Sequence, residues 1–211
     1  IGHVLDRKNQ LKLVSGAPNC LGIYAPTIRY HEGIFYCIVT NVGGRSGGNF
    51  FVYTTDPYGR WSNPVKLPFA GIDPSLFFDE DGRIYYTGTD TGIYIAEITF
   101  DVVRNDTPKR NELPVSIQNV KCGEKHYIWN GSGGNNPEGP HLYRIHDMYY
   151  LMIAEGGTEY CHMVTIARSK NVYGPYEACP HNPVLSNRST CLNIKAVGHA
   201  DLVEDSQGSW W

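Results

Sequence analysis

The sequence is short of charge. Asp, Glu, Lys and Arg make up 18% of its 211 residues, against about a quarter in an ordinary soluble domain. Lys and Arg number 18 against 21 Asp and Glu, a net charge of −3, and no basic run occurs. This excludes the electrostatic footprint of a nucleic-acid binder and a polybasic membrane patch. No stretch approaches the roughly 18 consecutive apolar residues of a membrane-spanning helix, and Ile1 is not followed by a leader-like basic and apolar segment. The six cysteines (20, 37, 122, 161, 179 and 191) never form a C-x-x-C pair, which argues against a zinc ribbon or a thioredoxin-like site. Cys37 and Cys161 fall in apolar, strand-like runs, where a buried free thiol is the ordinary expectation. The glycine runs 43–48 and 131–134 lack a following Gly-Lys-Ser/Thr, so they read as loops and not as phosphate cradles. No segment sustains a 3.6-residue apolar period over three turns, so helices should be few.

What remains is a chain rich in Gly (23), Pro (13) and Tyr (15), a composition of strands and turns. Four segments share one outline: 25–36, 73–86, 138–150 and 199–211. Each has a small or polar opening, a short apolar strand, a polar turn and an aromatic strand, the pattern of a β-hairpin. Aligned on Ile28, Leu76, Leu142 and Leu202, they recur at spacings of 48, 66 and 60 residues, close to what a four-stranded propeller blade with variable loops requires. Phe50–Thr55, Ile93–Phe100 and Met163–Ser169 supply outer strands, and Ile1–Val4 resembles another. A β-sandwich would not repeat one polar-opening hairpin at this period. The expected fold is all-β, a five-bladed β-propeller that is incomplete, with roughly three full blades plus two partial ones, so that residues 1–211 form a partial β-propeller catalytic domain.

In such a fold the start of each innermost strand faces the central axis. That rule brings Tyr24-Ala25, Asp73, Glu138 and His199 to one funnel, with Glu138 one residue out of step. Asp73-Pro74-Ser75 also reads as a turn initiator and Glu138 as a solvated loop residue, but recurrence at equivalent repeat positions favours a site. Two carboxylates suit glycoside hydrolysis, in which one acid protonates the leaving oxygen and another carboxylate activates water or attacks the anomeric carbon; aromatics such as Tyr24 and Trp129 fit either stacking on a sugar face or the core. Burial and a neighbouring carboxylate supply the raised pKa the acid needs. Glu159-x-x-His162 has a metal-ligand spacing that works on a helix, and the adjacent Gly156-Gly157 argues against one. His141 stands near enough to Glu138 to help hold the acid loop. Three Asn-x-Ser/Thr sequons, at Asn105, Asn130 and Asn187, lean weakly towards secretion.

The segments 24–30, 71–82, 137–143, 153–160, 163–169 and 198–205 together resemble family 43 of the glycoside hydrolases, in its β-xylosidase/α-L-arabinofuranosidase branch. The resemblance implies a five-bladed propeller and an inverting mechanism, with carboxyl groups about 6.5–9.5 Å apart. It implies Glu138 as general acid and Asp73 as the Asp that tunes its pKa. Tyr24-Ala25 corresponds to a sugar-contacting Trp-Ala pair, with Tyr in place of Trp. Thr158 and His199 correspond to residues lining the glycone pocket, and calcium near His199 occurs in some relatives, though no cofactor is required. The family's general-base Asp lies on a Tyr-Pro-Asp-Pro-like hairpin that these residues do not contain, and the Arg of the last blade and the C-terminal β-sandwich are likewise unmatched. The expectation is an enzyme releasing xylose or arabinofuranose from the non-reducing ends of hemicellulose oligosaccharides, with its base supplied outside this sequence and this chain alone inactive. A non-catalytic carbohydrate-binding propeller is the alternative. Expected partners are xylo- or arabino-oligosaccharides, with neither nucleic acid nor membrane.

Overall fold

A computed structural model describes residues 2–11, 18, 20–43 and 47–211. Among these the chain is all-β with no helix. Three antiparallel sheets follow one another in sequence. The first runs β1 (Gly22–His31), β2 (Ile34–Val42), β3 (Gly48–Thr54) and β4 (Val65–Lys66). The second runs β5 (Ile72–Phe78), β6 (Ile84–Thr89), β7 (Ile93–Arg104) and β8 (Val115–Cys122), with β9 (His126–Trp129) also paired to β7. The third runs β10 (Glu138–Ile145), β11 (Met148–Glu155), β12 (Met163–Ser169) and β13 (Glu177–Ala178).

The three expected outer strands are therefore β3, β7 and β12. The fourth repeat forms a smaller hairpin, closed by backbone bonds between Val203 and Trp211 and a bridge from Glu204 to Trp210. Two expectations need correction. Residues 2–4 form no strand; Val4 and Leu5 instead pack on the outer face of the first sheet. Ile1 lies outside the described residues, as does part of the 43–48 glycine run. Cys37 is buried, but Cys161 is exposed in a turn, because the strand before it ends at Glu155 and the Gly156-Gly157 pair reverses the chain.

Strand alternation stacks the sheets. Ile34, Tyr36 and Ile38 of β2 face Leu76, Tyr86 and Tyr94 of the second sheet, while Cys37 and Val39 between them face outward to Trp61. In the same way Tyr86 points to the first sheet and Tyr85 to the third, where it meets Leu142, Leu151 and Ile153. Beyond the third sheet, Tyr143 and Val164 receive Ala200 and Leu202 of the fourth repeat. With side chains of period two, the middle strands are buried on both faces, which is why β2 and β11 are almost continuously apolar. The sheets do not close into a ring among the described residues.

The inner strands β1, β5 and β10 share a backbone defect. Pairing with the next strand slips between Tyr24 and Thr27, between Ile72 and Ser75, and between Glu138 and His141. At each slip one residue is left-handed: Ala25 (φ 40°), Asp73 (φ 56°) and Gly139 (φ 61°), and His199 (φ 48°) repeats the feature in the fourth segment. In the first three a proline follows, at 26, 74 and 140, and a proline has no N–H to leave unpaired in a bulge. A left-handed non-glycine residue costs about 1–2 kcal/mol, so the surroundings must hold it there.

Much of that holding is polar. Two residues past the left-handed position stand Thr27, Ser75, His141 and Asp201. Arg29 spans three of them: its guanidinium forms a bidentate pair with Asp201 at 2.6 and 2.9 Å and donates at 3.2 Å to Ser75 Oγ and at 3.1 Å to His141 Nδ1. Tyr143 donates to Asp201 Oδ1 at 2.6 Å and accepts from the Leu202 amide at 2.9 Å. One network thus joins all four repeats. Since arginine only donates, His141 Nδ1 is an acceptor and the ring proton sits on Nε2. Burial, reinforced by Arg29, lowers the His141 pKa to about 3, so the ring is neutral. Arg29→Met should lower the unfolding free energy by about 2–3 kcal/mol, less than for a fully buried pair because the Asp201 side chain is 31% exposed. An unchanged urea midpoint would show that the repeats are joined by apolar packing alone.

Candidate active site

The bulges decide what faces the axis. By register, Gly139 and not Glu138 is the equivalent of Ala25, Asp73 and His199, so Glu138 precedes the bulge on β10 and pairs with Ala154 of β11. A side chain at 139 is sterically impossible without movement, since its Cβ would lie 2.9 Å from the His199 ring. Glycine here brings His199 against the backbone beside Glu138. The Gly139 amide donates to Asp73 Oδ2 at 3.2 Å, and the freed Pro140 carbonyl accepts from Thr87 Oγ1 at 3.0 Å. Asp73, Glu138 and His199 are therefore brought together around one peptide.

Glu138 also lines a cavity of about 410 Å³ with Asp90, Thr91, Asn136, Gly157 and Thr158. Of the expected site residues, Glu138 and Thr158 share this cavity, and Asp73 and His199 meet Gly139, the residue that follows Glu138. Ala25 has the equivalent backbone on β1, but the Tyr24 hydroxyl is taken up by the Cys20 carbonyl. Trp129, an aromatic suited either to a sugar platform or to the core, packs against the core between the second and third sheets. Glu159 is exposed, whereas His162 is buried with Nδ1 2.5 Å from the Gly157 carbonyl oxygen, so the two do not converge on a metal. The other Asp-Pro pair, Asp56-Pro57, makes the turn that follows β3, with Asp56 Oδ1 accepting from the Tyr58 amide.

Calcium takes six to eight oxygen ligands. The surroundings of His199 are rich in imidazole, from His141 at 5.9 Å between ring centroids and from His162, which packs on Gly198. The nearby Asp201 carboxylate is engaged by Arg29 and Tyr143. No group of three His, Cys, Asp or Glu among the described residues is placed to hold a metal. This donor set does not suit calcium.

Carboxylates here differ in how completely they are paired. Asp79 is held low in pKa, burial being outweighed by Tyr149 at 2.6 Å, Arg144 at 2.9 Å and the Glu80 amide at 2.8 Å. Asp201 is held low in the same way by Arg29. Asp73, buried with 6% exposure, has the Gly139 amide as its hydrogen-bond donor, and burial raises it to about 6. Glu138 is raised by burial and then by the charge of Asp73, with His199 and His162 opposing. Burial lowers the His199 pKa. A poorly paired buried carboxylate beside a second raised one, on a cavity wall, is the arrangement expected of acid–base chemistry.

Sequence reasoning missed the Arg29 network, Asp90 and Glu155. A polar residue recurring two places after each left-handed position, inside an apolar strand, was the available signal for the network. Asp90 carries no pattern of its own. Lys125 at 2.8 Å and Tyr127 at 3.0 Å pair it and, against burial, hold its pKa at about 2.

Asp73 keeps its proton to about pH 6 when folded and releases it near 3.8 when unfolded. The folded state therefore loses stability as pH rises between those values. Asp73→Asn should be more stable than the wild type by about 2–3 kcal/mol at pH 7, with the difference vanishing below about pH 4; urea unfolding at the two pH values measures this, and a pH-independent difference would contradict it.

The family model of glycosyl hydrolases family 43 matches residues 1–211. A xylosidase/arabinosidase of Butyrivibrio fibrisolvens is 44% identical over 100% of this chain and 40% of its own length. A non-reducing end alpha-L-arabinofuranosidase of Bacteroides ovatus is 42% identical over 100% of this chain and 37% of its own. The crystal structure of xylan beta-1,4-xylosidase from Bacillus halodurans has a TM-score of 0.82 at 34% identity, covering 100% of this chain and 40% of that one. The chain thus spans about two fifths of the length of these relatives.

Proposed function

The chain belongs to family 43 of the glycosyl hydrolases, and from that premise we propose that it is part of the catalytic propeller of an inverting glycosidase that releases xylose or arabinofuranose from the non-reducing ends of hemicellulose oligosaccharides. The observation that carries this reading is the under-paired couple of Asp73 and Glu138 about the Gly139 peptide, with Glu138 on the wall of an open cavity. The three sheets are read as three of five blades, and the fourth hairpin as the start of the next.

Glu138, whose pKa is raised by burial and by the charge of Asp73, donates a proton to the glycosidic oxygen as the bond to the anomeric carbon breaks. Asp73 raises the affinity of Glu138 for that proton and fixes the bulge through the Gly139 amide. Thr158 and His199 contact the sugar bound in the −1 position, His199 as a neutral ring. A water, deprotonated by a general base, attacks the opposite face and inverts the configuration. That base is an Asp on a hairpin that these 211 residues do not contain. Tyr24 and Ala25, on the equivalent bulge of β1, are the further sugar contacts that the family resemblance implies.

Glu138→Gln, in a protein that carries the base, should reduce kcat on xylo-oligosaccharides by about 10²–10⁴-fold and on aryl glycosides with good leaving groups far less, since only the former need protonation. Equal losses on both would remove Glu138 from the acid role. The 211 residues alone should not turn over 4-nitrophenyl β-xyloside or α-L-arabinofuranoside. Robust hydrolysis by them would overturn the placing of the base elsewhere, whereas sugar binding without turnover in the longer protein would favour a carbohydrate-binding propeller.

A further inference from the structure

Glu155 ends β11 with no exposed surface, yet it is a carboxylate that the proposed chemistry does not use. Four donors surround it. The Ser132 amide reaches both oxygens at 3.0 and 3.1 Å, Ser132 Oγ reaches Oε2 at 2.7 Å, the Gly134 amide reaches Oε1 at 2.8 Å, and Thr165 Oγ1 on β12 reaches Oε2 at 2.5 Å. Burial alone would raise its pKa, but these bonds hold it low, so the group is ionised.

The loop is shaped around that charge. Gly131 is left-handed (φ 83°), and a Cβ there would lie 2.4 Å from Glu155 Oε1. A Cβ at Gly134 would lie 2.6 Å from Met163 Cε and 2.8 Å from Glu155 Cβ. The glycine run that lacks a phosphate-loop signature is an anion cradle after all, filled by a carboxylate of its own chain through converging backbone amides. Glu155 stands at the root of both walls of the cavity. On one side the loop continues through Asn136 and Pro137 to Glu138, all three lining the cavity. On the other, Glu155 leads directly into Gly157 and Thr158, which line it too, and the Gly156 amide donates back to the Asn135 carbonyl at 2.6 Å.

The geometry points to Glu155 as the positioning residue of this site: its buried carboxylate clamps the Gly131–Gly134 loop to β11 and β12 and so fixes the place of Glu138 and the width of the cavity beside it. The catalytic consequence rests on Glu138 being the acid; the clamp itself does not.

In Glu155→Gln an amide NH2 faces donors that need an acceptor. Hydrogen exchange at the Ser132 and Gly134 amides should accelerate at least about tenfold while Leu151–Ala154 of β11 are unchanged. The Glu138 carboxyl, followed by ¹³C NMR, should titrate closer to an ordinary glutamate as water reaches it. Ser132→Ala removes one donor at an exposed position and should give a smaller change in the same direction, which keeps the test decisive if Glu155→Gln does not fold. Uniform acceleration across β11 and β12 with an unmoved Glu138 titration would reduce Glu155 to a stability residue and overturn the proposal. So would unchanged Gly134 exchange and Glu138 titration in Ser132→Ala. Neither readout requires turnover, so loss of the acid assignment through Glu138→Gln kinetics would leave the clamp standing.

Discussion

The Arg29 guanidinium is the constraint on which the rest of the structure depends. Its bonds to Ser75, His141 and Asp201 reach from the first hairpin into the second, third and fourth, each ending two residues past a left-handed position. Repeats related only by apolar face packing can slide, because such packing is non-directional. A planar cation with fixed donor directions cannot be satisfied at more than one relative placement. Register between the sheets follows from it, and with register comes the convergence of the bulges.

Convergence then sets the chemistry. The same bulge that turns Asp73 left-handed aims it at the Gly139 amide, and glycine at 139 admits the His199 ring. The electrostatic outcome depends on supply of donors. Asp79, Glu155 and Asp201 are given arginine, tyrosine, hydroxyl or amide partners and stay ionised, while Asp73 and Glu138 are left short and their pKa values rise. Well-paired and under-paired carboxylates are thus separated by counting what faces them, not by burial, which all of them share in some degree.

The repeats made the architecture legible. Period-two apolar runs, turn residues and the recurrence of one hairpin led to the strands β3, β7 and β12 and to Asp73, Glu138 and His199 as neighbours, because these features are local in sequence. What stayed hidden is non-local. Arg29 and Asp201 are far apart along the chain and announce nothing separately. Glu155 reads as one more strand-end carboxylate until the loop around it is seen. Trp129 stayed open between a sugar platform and the core because an aromatic in a short strand looks the same in either place. Cys161 was misplaced because Tyr160-Cys161 looks apolar although the Gly-Gly turn had already ended the strand. The one-residue offset of Glu138 was visible in the alignment, and its cause, a bulge with glycine at the repeat position, was not.

The central claim is that donor supply divides these carboxylates into a set whose pKa values are lowered and a pair whose pKa values are raised. A ¹³C NMR titration of the aspartate and glutamate carboxyls in the unmodified chain tests it directly. The account predicts that Asp73 titrates at about 6 and Glu138 above the ordinary 4.5, with Glu155 and Asp201 below their ordinary values. Asp73 titrating near 3.8, together with an unshifted Glu138, would contradict it.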